Sequence, residues 1–160
     1  MTKSENVLCY IIKKLDYVGI TKITKLVYFS DLWFMKHHKK QLTDYKYIRY
    51  YYWPYSLGLR ADITNLISKG ILRDVESELP NWETIIYYTV NKDTPIDHFQ
   101  VGLSDVEIKY LDEVVSDLWK LAPNHLKSLS YKTAPMIVLG CTEWWKESWE
   151  EELDLSAIIK

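Results

Sequence analysis

An aromatic run at residues 45–55 constrains the fold of this chain more than any other feature. It reads YKYIRYYYWPY and places seven aromatic side chains in eleven residues. Rings of this size bury large areas, so the run must pack into a core or bind a partner. β-Branched and aromatic residues favour a strand over residues 47–53. Pro54 cannot donate to a central ladder, so the strand is predicted to end there and a helix to follow.

Length and composition indicate one globular domain. The chain has 160 residues, of which 48% are hydrophobic and 26% charged, which is enough to bury a core. We therefore predict a single domain over residues 1–160. It would comprise helices and a small sheet in 1–90, helices in 103–135 and an acidic, Trp-rich tail in 142–160. The two cysteines have no metal-site spacing, and no signal peptide or membrane span is recognisable, so a cytoplasmic location without membrane contact is expected.

The charge is unevenly distributed along the chain. The net charge is −2, but residues 1–60 carry +7 and residues 61–160 carry −9. This pattern leaves two alternatives open. Either the fold presents one basic and one acidic surface, which would orient a charged partner, or the two halves meet and neutralise each other.

Hydrophobic periodicity and capping residues predict an α+β fold, a predominantly helical single domain with a small antiparallel sheet. The sheet would combine strand 47–53 with a hairpin. The predicted elements of the first half are a helix capped by Ser4, a helix at 21–40, the strand at 47–53, a helix at 55–69 and a hairpin of strands 71–75 and 84–90.

The second half is predicted to be helical. A loop over residues 91–102 would separate it from the first half. Ser104 and Glu107 form the pattern of a capping box, which predicts that a helix begins there. Pro123 is placed to begin another short helix, which would end before Pro135.

The chain shows no catalytic or metal-binding constellation, so we predict no enzyme, no cofactor and no metal. His37 and His38 are adjacent and would point in different directions from a helix, which does not suit a shared metal ion. No nucleophile motif occurs, and the five glycines are too far apart for a phosphate-binding loop.

A winged-helix DNA-binding regulator is the alternative function. The order of a helix ending at Gly70 and then a hairpin resembles a winged helix-turn-helix. A wing approaches phosphates and should be basic. Here the acidic residues outnumber Arg73, so DNA binding is disfavoured. The acidic residues of the hairpin are Asp74, Glu76, Glu78 and Glu83.

Aromatic residues are the best candidates for partner binding, because Tyr and Trp anchor many protein interfaces. Alternation along a strand leaves two sets of outward tyrosines open, either Tyr47 with Tyr51 or Tyr50 with Tyr52. A homo-oligomer also remains open. The candidate partner-binding residues are Tyr47, Tyr50, Tyr51, Tyr52, Tyr55, Trp144, Trp145 and Trp149.

Several segments together resemble the Panacea, or SocA-like, domain. They are KLVYFSDLWFMKHHKKQLT at 25–43, WPY at 53–55, LISKGIL at 66–72, LSDVEIKYLDEVV at 103–115 and LKSLSYKTAP at 126–135. The resemblance covers residues 7–135. Trp53 departs from the family's usual Gly before Pro54, and Tyr131 and Met136 stand where His and Trp are common.

The resemblance implies an antitoxin-type module, mostly helical with a small sheet, that neutralises a cognate toxin by direct binding. It also implies that some members act as proteolytic adaptors and that others are phage-associated. We expect the acidic tail at 143–154 or the acidic hairpin loop to cover a basic active site on such a toxin.

Overall fold

The computed structural model describes residues 1–50, 53–139 and 151–159. It is a predominantly helical α+β fold with small antiparallel sheets, as the sequence predicts. The helices are α1 (Lys3–Leu15), α2 (Ile20–His38), α3 (Leu57–Ser68), α4 (Asp97–Gln100), α5 (Asp105–Leu118), α6 (Pro123–Tyr131) and α7 (Ala134–Val138), with a 3₁₀ helix at Leu155–Ile159. The strands are β1 (Val18–Gly19), β2 (Ile48–Tyr50), β3 (Trp53–Tyr55), β4 (Leu72–Glu78) and β5 (Thr84–Val90).

Helix α1 begins two residues earlier than predicted, because Thr2 and not Ser4 is its N-cap. The Thr2 hydroxyl accepts from the Glu5 N–H at 3.1 Å, and the Glu5 carboxylate accepts from the Thr2 N–H at 2.7 Å. This reciprocal pair is a capping box. Ser4 lies inside the helix and accepts a hydrogen bond from the Asp44 N–H instead, so it joins α1 to the segment that follows α2.

The aromatic run is not a strand of the main sheet, which corrects the predicted sheet composition. The main sheet has the order β1-β5-β4, and β2 and β3 form a separate two-stranded antiparallel pair. Arg49 pairs with Pro54, and Tyr50 pairs with Trp53. Because Pro54 has no N–H, it suits a short pair of this kind better than a central ladder.

Helix α2 is the centre of the core. It packs against α1, α5, α6, the 3₁₀ helix and strand β3. Every residue from 23 to 32 is buried, so the helix is enclosed on all sides, and this stretch includes the charged residues Lys25 and Asp31. A helix enclosed in this way is normally apolar all round. The charge of Asp31 is accommodated by hydrogen bonds from Thr43 and Tyr47.

Residues 91–102 do not simply separate two halves of the chain. They contain the short helix α4, which packs on α1, and the side chain of Phe99 is completely buried in the common core. A single fully buried aromatic ring is sufficient to fix a short helix, because its burial contributes several kcal/mol. The predicted loop is therefore part of the core.

The predicted capping box at the start of α5 is confirmed. Ser104 accepts from the Glu107 N–H at 3.3 Å, and Glu107 accepts from the Ser104 N–H at 2.8 Å. We expect Ser104→Ala to lower the free energy of unfolding by about 1 kcal/mol, because the Glu107 N–H loses its acceptor. Urea denaturation would measure this. Ser116→Ala, on an exposed position of the same helix, is the control, and equal effects of the two changes would contradict the prediction.

Candidate partner-binding surface

A buried carboxylate binds the residues that lead into the aromatic run and the first part of the run itself. Asp31, on α2, accepts hydrogen bonds from the Thr43 N–H at 2.7 Å, the Thr43 hydroxyl at 2.6 Å and the Tyr47 hydroxyl at 2.6 Å. The Gln41 side-chain amide adds a fourth contact at 3.2 Å. These four residues are called the Asp31 cluster below. The cluster fixes the segment between α2 and β2, and it thereby sets the direction in which β2 leaves the core.

Burial changes the acidity of the cluster. Asp31 is fully enclosed, and the loss of hydration raises its pKa from the usual 3.8 to about 6, against the opposing effect of the hydrogen bonds from Thr43 and Tyr47. The same burial, together with the Asp31 charge, raises the pKa of Tyr47 well above its usual value of 10. The Tyr47 hydroxyl therefore stays protonated and remains a donor at all ordinary pH values.

Tyr47 is a core residue, which corrects its selection as a partner-facing side chain. Its ring is completely buried, lies edge-on to Tyr28 at a centroid separation of 5.2 Å and donates to Asp31. Tyr45 is also buried, and its hydroxyl donates to Asp62 at 2.7 Å. Neither ring can contact a partner while this packing persists.

The outer side of the β2–β3 pair carries the remaining described tyrosines. Tyr50 is 36% exposed and Tyr55 is half-buried, and their ring centroids are 5.1 Å apart. Arg49 points the other way and is buried, as alternation along a strand requires. Ile48 is half-buried and pairs with Tyr55. Ile48, Tyr50 and Tyr55 are called the tyrosine face below.

The tyrosine face is held from both edges of β2. Strand β3 pairs along one edge, and residues 151–153 pair along the other through Arg49 N–H to Glu151 C=O at 2.9 Å and Leu153 N–H to Tyr47 C=O at 2.8 Å. The backbone under the tyrosines is thus hydrogen-bonded on both sides. Such support orders the backbone that carries the rings before any partner arrives.

Five candidate residues lie outside the described residues. They are Tyr51, Tyr52, Trp144, Trp145 and Trp149, and their selection stays a prediction. Alternation allows two sets of outward tyrosines. Tyr47 is buried and Tyr50 is exposed, so these two positions agree with the set that contains Tyr50.

The uneven charge is resolved partly by neutralisation. Among the described residues, three ion pairs join lysines of the basic first part to carboxylates of the acidic second part. They are Lys3 to Glu107, Lys14 to Asp112 at 3.1 Å and Lys46 to Glu152 at 3.7 Å. The hairpin of β4 and β5 behaves differently. Within the described residues, none of its carboxylates forms an ion pair. These exposed side chains are Asp74, Glu76, Glu78 and Glu83.

This hairpin, residues 72–90, is called the acidic hairpin below. Its four carboxylates face a single guanidinium, that of Arg73, which gives a net charge of −3. A wing that approaches DNA phosphates needs the opposite sign. The surface is suited to a basic partner instead.

The described residues also bear on metal binding and on thiol reactivity. No group of three or more His, Cys, Asp or Glu side chains in them could hold a metal ion. Burial raises the pKa of the Cys9 thiol to about 12, so this thiol stays protonated and is a poor nucleophile. In the parts of the chain that the structure describes, no helix is long and apolar enough to cross a membrane.

Two residues that form or support the candidate surfaces are not among those predicted from the sequence. The first is Asp31, whose lone carboxylate between Phe29 and Trp33 in an apolar stretch is a sequence signal of a buried polar contact. The second is Trp82, which lies between the two predicted strands of the hairpin and which the structure exposes more than any other described aromatic side chain.

Comparison with known proteins identifies a family. The model of the family described as "Antitoxin SocA-like, Panacea domain" matches residues 23–135, which is more than half of the chain. No curated protein and no solved structure matches. The matched residues contain α2 with Asp31, the β2–β3 pair and the acidic hairpin. The chain therefore belongs to the SocA-like antitoxin family of Panacea domains.

Proposed function

We propose that this protein neutralises a cognate toxin by binding it directly, and that the tyrosine face is a contact surface. Membership of an antitoxin family implies a toxin partner in general and suggests a role without catalysis. The observation that carries the proposal is the arrangement of Tyr50 and Tyr55. Two adjacent rings lie on the outer side of a supported strand pair, where a core does not require them.

The chemistry of these side chains supports an interface. Each tyrosine offers a large apolar ring and one hydroxyl, and ordering its two side-chain torsions costs little entropy. The strand pairing on both edges of β2 removes most of the remaining cost of ordering the backbone. A surface of this kind can bind tightly for its size, because less of the interaction free energy is spent on ordering.

The experiment is co-expression with the protein encoded by the neighbouring gene, followed by co-purification and a measurement of affinity. We expect the wild-type chain to rescue growth and to co-purify. The double substitution Tyr50→Ala with Tyr55→Ala should weaken binding by about 30-fold or more, as loss of a buried aromatic anchor typically costs about 2 kcal/mol or more. Its thermal midpoint should stay near that of the wild type.

Trp119→Ala is the control, because Trp119 is 45% exposed and lies at the end of α5, outside the tyrosine face. It should leave the affinity unchanged. A neighbouring protein that is harmless alone, or that stays toxic and never co-purifies with this chain, would contradict direct neutralisation. Equal losses from the double substitution and the control would remove the tyrosine face from the proposal.

A further inference from the structure

Trp82 is exposed to an unusual degree for its side chain. It lies between β4 and β5 at the end of the acidic hairpin, and 87% of its surface is accessible. The other exposed aromatic residues in the described part of the chain have a much smaller accessible fraction, with Tyr17 at 48% and Trp119 at 45%. Tryptophan has the largest side chain and is highly buried on average. Its side chain therefore contributes almost no burial free energy to the fold.

The backbone at Trp82 is unfavourable. Its φ of 63° lies in the left-handed region, which glycine adopts readily and a bulky residue rarely does. The turn fixes this conformation, because the Leu79 N–H donates to the Glu83 C=O at 2.8 Å and the Trp82 N–H donates to the Leu79 C=O at 3.0 Å. A single residue thus combines strain with exposure of an indole. Features that coincide in this way point to a function outside the fold.

The charges around Trp82 indicate what it would contact. Glu76 and Glu78 are alternate residues of β4 and share one side of the strand. Glu83 adjoins Trp82 directly. All three carboxylates are exposed and form no ion pair within the described residues. The complement of this surface is an apolar pocket with Lys and Arg side chains on its rim.

We propose that Trp82 is an anchor residue that inserts into an apolar, basic-rimmed pocket of a protein partner, while the acidic hairpin pairs with the rim. The inference rests on the proposed function, since the partner is the toxin that this chain binds. It adds a second contact surface to the tyrosine face, and it defines the chemistry of the toxin surface. A nucleic acid is not the partner, because its phosphates would meet unpaired carboxylates.

The decisive variants are Trp82→Ala and Trp82→Gly, tested on the full chain against the protein encoded by the neighbouring gene. Both should weaken binding by about 30-fold or more. Trp82→Gly should at the same time raise the thermal midpoint by about 2–4 °C, because glycine relieves the left-handed backbone. A gain in stability together with a loss of binding is not expected of a residue that serves the fold.

The charge is tested separately. The double substitution Glu76→Lys with Glu78→Lys should weaken binding at least tenfold at low salt, and the wild-type affinity should fall as salt rises. Trp119→Ala is the matched control for the indole. Asp117→Lys, at an exposed position of α5, is the control for the charge. Neither control should change the affinity.

The outcomes separate the two proposals. If the tyrosine double substitution abolishes binding while Trp82→Ala behaves like Trp119→Ala, the anchor is overturned and the proposed function stands. If the wild-type chain binds no neighbouring protein, both fall. If Trp82→Ala leaves the toxin affinity unchanged and lowers only retention of a DNA duplex, the protein partner is overturned in favour of a nucleic acid.

Discussion

Replacing Asp31 with alanine is expected to lower the free energy of unfolding by about 3–5 kcal/mol at pH 5. The change removes the common acceptor of the Thr43 N–H, the Thr43 hydroxyl and the Tyr47 hydroxyl. These donors are buried, and a buried donor without an acceptor costs about 1–3 kcal/mol. The segment that leads into β2 would lose its attachment to α2, so toxin binding through the tyrosine face should weaken with the fold.

Urea denaturation would measure this effect, with Asp117→Ala as the control at an exposed position of α5. Thr43→Val provides a second comparison, because it removes one hydroxyl and keeps the backbone donor. If the cluster acts as a unit, the variant that combines Asp31→Ala with Thr43→Val should lose less free energy of unfolding than the sum of the losses of the two single variants. A loss below about 1 kcal/mol for Asp31→Ala would show that the cluster contributes little to stability.

The parts of the fold that the sequence predicts correctly depend on local chemistry. The capping box needs only a serine and a glutamate three residues apart, so Ser104 and Glu107 identify the start of α5 without any tertiary information. Pro123 identifies the start of α6 in the same way. The fold class follows, because the helical periods are long and the β-branched runs are short.

The parts that it does not predict depend on packing between distant segments. Strand β1 has only two residues, and it exists because β5 offers an edge at Tyr87 and Tyr88. No local pattern could reveal it. The inward turn of Tyr47 depends equally on a distant group, since the Asp31 carboxylate sixteen residues earlier binds its hydroxyl.

The candidate surfaces show the same division. Composition alone locates the aromatic run and the acidic hairpin, because the first has far more aromatic residues and the second far more acidic residues than an average segment. Which rings are accessible depends on the faces that α2 and residues 151–153 leave open, so Tyr47 and Tyr50 could not be told apart. For Trp82, a loop with Pro80 and Asn81 predicts a turn. It gives no sign of a left-handed tryptophan or of its exposure.

The second large effect is the contribution that Asp31 makes to the dependence of stability on pH. Its pKa is raised from 3.8 to about 6 by burial, so the folded state holds this proton more tightly than the unfolded state. The stability that the neutral carboxyl contributes is therefore fully present below pH 3.8 and is lost as the pH rises through 6. Because one pKa unit is worth about 1.4 kcal/mol, the loss amounts to about 3 kcal/mol.

Asp31→Asn tests this, because asparagine fills the same space and does not titrate. Glu5 and Glu107 have lowered pKa values through opposing contacts that outweigh their burial. Their titration makes the free energy of unfolding rise with pH, which is opposite to the effect of Asp31. Both groups are present in the wild type and in Asp31→Asn, so their effects cancel when the two proteins are compared. We expect the wild type to lose about 2 kcal/mol of the free energy of unfolding relative to Asp31→Asn between pH 4 and pH 7, measured by urea denaturation at each pH. If the difference in the free energy of unfolding between the wild type and Asp31→Asn does not change with pH, the four donors of the cluster stabilise the ionised carboxylate enough to offset its burial.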